Sequence, residues 1–143
     1  MTTTTNRAGW TTAILAGRLI FAAIFIMAVS FKLTGIDGTA AYIASAGFPL
    51  SKLLASLAAL LELALIAGFL TGAYFSETAL VAAAYVLFLA IAFHGPSHWA
   101  GNQSEFGFFV DHFTFIAGLL FAAAHGPGQV LAMKRGWIIR RRD

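Results

Sequence analysis

Four long apolar stretches, each interrupted by very few charges, divide this chain, and short polar segments rich in glycine or proline separate them. The second stretch shows the pattern most cleanly. From Leu53 to Leu70 it reads LLASLAALLELALIAGFL, eighteen residues with Glu62 as their lone charge. At ~1.5 Å per residue it covers most of a bilayer's ~30 Å hydrocarbon layer. A carboxylate at that depth costs a few kcal/mol or more unless it faces protein, water or a partner. Ala55 and Ala59 stand four apart, as do Ala58 and Glu62, so Glu62 shares a face with small residues where another helix can come close.

The other stretches follow suit. The first predicts a helix over about 12–33, with Arg18 and Lys32 on one face about 21 Å apart. It ends in Ser30-Phe31-Lys32 rather than in the small residues of a cleavage site, so it reads as a retained first span. The third predicts a helix over about 78–94, with Tyr85 at a depth near that of Glu62. His94 lies nine residues further on, on the opposite face. The fourth, over about 108–124, carries Asp111 and His112 one turn below its start and stops at His125-Gly126-Pro127-Gly128. Between the first and second stretches, TAAYIASA is long enough for two turns of interfacial helix, and Ser51 stands where an N-cap belongs. Gly72 to Glu77 reads as a turn, and Gly95 to Gly107 as the most polar loop. The fold class is all-α: an integral membrane antiparallel four-helix bundle, one domain over 1–143 with a basic tail from 129.

Composition sharpens this. The chain is 59% hydrophobic and 10% charged, against about a quarter charged in soluble domains, so no part of it reads as a soluble domain. Chemistry must sit among the helices, at their ends, or on a partner chain. Without cysteine there is no disulfide, thiolate ligand, iron–sulfur cluster or Cys-x-x-Cys-His haem site. Lys134, Arg135, Arg140, Arg141 and Arg142 crowd the C-terminus beside Trp137, a pattern that lies against anionic lipid and places the tail in the cytoplasm. An even number of spans puts both termini there. No nucleic-acid motif is present.

Two groups of polar residues carry candidate chemistry. Arg18, about 9 Å from the cytoplasmic end of its helix, and Glu62, about 12 Å from the same side, predict an ion pair. It would either tie two helices together or pass protons. At the other end, Lys32, Asp37, His94, His98, Glu105, Asp111 and His112 form a second set. If the helices converge, Lys32, His94 and His112 offer donors to a quinone headgroup, with Glu62, Asp111 and His112 as a proton relay and Arg18 as a further headgroup contact. Water-satisfied interfacial residues are the plain alternative. His94, His98 and His112 could also hold a metal, although Pro96 breaks the helix that would make the His94–His98 spacing meaningful. His125 suits a helix-end cation.

Arg18-Leu19, Phe25 and Phe31-Lys32-Leu33 resemble the first helix of the DoxX family. The run from Ala41-Tyr42 to Gly47-Phe48-Pro49-Leu50, then Glu62-Leu63, Gly68 to Leu70 and Gly72, is similar to its second block, and Ala117 to Leu120 with Gly126-Pro127-Gly128 to its last. Two departures stand out. Thr71 to Phe75 lacks a basic residue common after the second helix, and Asp111-His112 replaces the more usual Lys or Asn. The resemblance implies a membrane subunit of an oxidoreductase assembly in a bacterial or archaeal inner membrane. Its partners would be lipid, quinone and another subunit or a second copy, with no covalently bound cofactor. A non-enzymatic scaffold or small-molecule binder, and a His/carboxylate metal enzyme, are the competing classes.

Overall fold

The computed structural model describes residues 3–133 and 135–138, with side chains described from Thr11 onward. All regular structure in this range is helical: α1 (Thr3–Thr34), α2 (Ile36–Ser45), α3 (Ser51–Thr71), α4 (Phe75–His94), a single 3₁₀ turn (Pro96–His98) and α5 (Gln103–His125). Four segments of the described chain are long and apolar enough to cross a membrane: Thr11–Thr34, Ser51–Thr71, Phe75–His98 and Gln103–His125. The protein is a multi-pass membrane protein. Large apolar side chains such as Leu60, Ile91 and Phe121 point outward, and only 6% of the apolar window of α5 is buried. Acyl chains solvate such surfaces, so the outward Leu, Ile and Phe residues need no aqueous explanation.

The helix ends follow from local chemistry. α3 stops at Gly72, which adopts the left-handed conformation (φ 70°) and returns its N–H to the Gly68 carbonyl. Only glycine takes that conformation freely. α5 closes on Gly126 (φ 79°) followed by Pro127, which cannot continue a helix. The starts differ from the sequence reading. α4 begins at Phe75 and α5 at Gln103, so Glu105 belongs to a helix rather than a loop. The first turn of α5 is polar and lies beyond the hydrophobic window, which hid it from hydropathy. Ser51 is the first helical residue, and Leu50 at the cap makes no side-chain bond there.

α1 packs on α3, α3 on α4, and α4 most extensively on α5, while α2 lies against α3. Gly68 permits the close α3–α4 approach, since a Cβ there would collide with Oγ1 and Cγ2 of Thr78. α1 and α5 meet through aromatic rings: Phe115 lies 5.4 Å from Phe21 and 5.9 Å from Phe25. Phe69 joins the same cluster from α3, stacked on Phe25 at 5.9 Å. The backbones of α1 and α5 make little direct contact, and both helices border a cavity along the seam between them. At the opposite end the tail folds back over the α3–α4 turn. Met133 donates to the Thr71 carbonyl, Tyr74 donates to that of Arg135, and Glu77 Oε1 accepts the amides of Trp137 and Ile138. Lys134, Arg140, Arg141 and Arg142 of the basic tail lie outside the described residues.

Candidate functional site

The two buried charges do not pair with each other. Arg18, 1% exposed, donates all five of its N–H bonds to backbone carbonyls: Nε to Phe69, one terminal nitrogen to Pro127 and Val130, the other to Leu70 and Leu131, at 2.8–3.1 Å. The carbonyls at the end of a helix lack intrahelical partners, and a planar fork of donors satisfies several at once. The predicted Arg18–Glu62 pair is therefore corrected. Reckoning depth from the end of the apolar run set Arg18 too far in. It sits level with the last turn of α3, two turns from Glu62, and fastens α1 to that turn and to the tail.

Glu62 draws its partners from the α2 end instead. Its Oε1 accepts from Lys32 Nζ at 2.8 Å and from the Tyr85 hydroxyl at 2.9 Å. Helical side chains lean toward their own N-termini. In antiparallel α1 and α3 that tilt swings Lys32 inward and Glu62 outward, so the two meet across a gap that a count of turns makes too wide. Glu62 is 1% exposed, and its Oε2 is buried without a hydrogen-bond partner among the described residues.

Two cavities adjoin this group. A cavity of about 310 Å³ lies between α1 and α5, bordered by Ile24, Phe25, Lys32, Glu62, Tyr85, Asp111 and His112. A second, of about 490 Å³, opens toward α2 and is bordered by Lys32, Thr39, Tyr42, Tyr85, His94 and His112. Lys32, Tyr85 and His112 line both. Tyr85 and His94 thus border one space despite their opposite helical faces, because His94 is the last residue of α4 and the cavity extends to the helix end. Arg18 lines neither of these cavities. Partial burial, and secondarily the charge of Glu105, raise the Tyr42 phenol above its ordinary value, so it remains a protonated donor.

Around the rim, His94 Nδ1 lies 2.6 Å from Glu105 Oε2, and its ring centroid is 5.0 Å from that of His112. His112 Nδ1 contacts the Phe108 carbonyl at 2.6 Å and must donate to it. Asp111 is exposed along the seam. Asp37 forms an exposed pair with Lys52, and His98 contacts Ser97, so neither residue lines these cavities. Among the described residues no three His, Asp or Glu side chains are placed to hold a metal ion. His125 is exposed, its Nδ1 3.0 Å from the Phe121 carbonyl.

The sequence profile of DoxX matches residues 13–95, more than half of the chain, a range that includes Lys32, Glu62, Tyr85 and His94. The chain belongs to the DoxX family. It is 34% identical over 119 residues to the inner membrane protein YqjF of Escherichia coli K12, covering 80% of this chain and 85% of that one. No solved structure matches it. Asp111 and His112, on α5, fall beyond the profile match. Sequence reasoning on this DoxX protein missed two features of the geometry. Tyr85 was placed at the right depth but given no partner, and Glu77, read as part of a turn, is the acceptor that holds the tail. An acid in the first turn of α4, facing a tail of unsatisfied amides, was the available signal.

Proposed function

We propose that this DoxX protein is the quinone-binding membrane subunit of an oxidoreductase assembly. The carrying observation is the Lys32–Glu62–Tyr85 group, a fully buried carboxylate with two half-buried partners, at membrane depth on the wall of a cavity whose other polar lining is Asp111 and His112. Ionisable residues inside a membrane are costly and tend to mark sites, and cavities of about 300–1,000 Å³ suit small ligands. Lys32 and Tyr42 supply donors to headgroup oxygens. Glu62, His112 and Asp111 exchange protons with the headgroup, and His94 with Glu105 continues the path to the aqueous edge. The chain has no cysteine for an iron–sulfur cluster, so the electron route is assigned to a partner subunit. The name of the relative YqjF supports an inner-membrane setting, and the basic tail supports cytoplasmic termini.

The test is extraction of purified protein for bound quinone, on the wild type and on His112→Ala. Near-stoichiometric quinone in the wild type, depleted in the variant, is the expected result. Folded wild-type protein that carries no quinone and takes none up from quinone-loaded vesicles would sink the proposal and move the assignment to a scaffold.

A further inference from the structure

The hydrogen-bonding capacity left unused around the smaller cavity is strongly one-sided. Glu62 Oε1 already accepts two bonds, while Oε2 accepts none and lies buried. The single hydroxyl proton of Tyr85 is committed to Glu62. His112 gives its Nδ1 proton to the Phe108 carbonyl, so the neutral ring offers only the Nε2 lone pair. Asp111, on the same wall, can only accept when ionised. Against these three acceptors stands one group with donors to spare, Lys32, which has used one of its three.

An oxidised quinone presents carbonyl oxygens, which accept and cannot donate. Bound here it would take bonds from Lys32 and leave the buried Glu62 Oε2 without a donor, at the cost of an unmade bond. A hydroquinone hydroxyl can accept from Lys32 and donate to Glu62 Oε2 at once, and its second hydroxyl can donate to His112 or Asp111. A cationic donor fits less well. Lys32 already pairs with Glu62, so an amine on Oε2 would set a second cation beside the first across one carboxylate. A water on Oε2 would be displaced at no loss only by a group that repeats its donated bond.

We infer that the site between α1 and α5 selects the reduced, dihydroxy form of its ligand, with Glu62 Oε2 and His112 as the acceptors that read the two hydroxyl protons. This rests on the quinone-binding reading above and adds the redox state to it.

The experiment compares one compound in two states: a benzoquinone with a short alkyl tail, and the same compound reduced under anaerobic conditions. Binding of each to the wild-type protein in lipid nanodiscs is measured. One buried acceptor satisfied in one state and not in the other predicts roughly tenfold or greater preference for the hydroquinone. A tenfold preference raises the midpoint potential of the bound two-electron couple by ~30 mV, an independent readout. Glu62→Gln places an amide donor where Oε2 stands and should abolish or reverse the preference. His112→Leu should weaken the hydroquinone more than the quinone, and serves if the Glu62 variant does not fold. Equal affinities, or tighter quinone, in folded wild type overturn the inference and leave quinone binding standing. Binding of neither state overturns both.

Discussion

Replacing Arg18 by lysine keeps the positive charge and removes the fork. The guanidinium makes five bonds to the end of α3 and to residues 127–131. An ammonium has three donors radiating from one atom, so at least two of the five bonds are lost. Charge-assisted bonds contribute about 1.5–3 kcal/mol each, so two at the low end give about 3 kcal/mol. At about 1.4 kcal/mol per tenfold, the tail should detach about a hundredfold more often. The assay is limited tryptic cleavage after Arg135, whose carbonyl is held by the Tyr74 amide while the tail is docked. Where opening and closing outpace cleavage, the rate reports the open population. The expected outcome for Arg18→Lys is cleavage faster by one to two orders of magnitude, with the Lys32–Glu62 pair two turns away left intact. A rate within threefold of wild type would refute the view that five carbonyl bonds, rather than charge alone, hold the tail.

Three further outcomes are expected. Lys32→Met strands the buried Glu62 carboxylate and should cost about 3–5 kcal/mol in unfolding, most of it recovered by adding Glu62→Leu. A double-mutant cycle that shows simple additivity would contradict the ion pair. Gly68→Ala drives a methyl into Thr78 and should destabilise by about 1–3 kcal/mol, with Thr78→Ala in the same chain restoring thermal stability. Loss of stability that Thr78→Ala leaves untouched would place the strain elsewhere. Glu77→Ala removes the acceptor for two tail amides, and hydrogen exchange at Trp137 and Ile138 should accelerate by about tenfold or more. Unchanged protection would show that the tail is held without it.

The spans were legible because each is a long apolar run, and the burial of Arg18 and Glu62 was legible because both interrupt such runs. Their partners were not. Opposite charges at similar estimated depth invited a pair, but a sequence gives no sign that backbone carbonyls can absorb an arginine outright. The depths themselves depended on where α1 begins, and its polar first turns carry no hydropathic mark. A count of turns groups Lys32 with the outer set and Glu62 with Arg18, because it ignores the several ångströms each long side chain covers along the helix axis. His94 and His112 were legible as neighbours in principle. The role of Glu105 depended on a helix start hidden in a polar stretch.

The seam between α1 and α5 changes what concentration means for this protein. A ligand of the proposed kind, entering between two membrane spans, would arrive by lateral diffusion within the bilayer rather than from bulk water. Occupancy then follows the ligand's mole fraction in lipid. Adding ligand-free vesicles should therefore empty the site by dilution, even with the aqueous solution left unaltered.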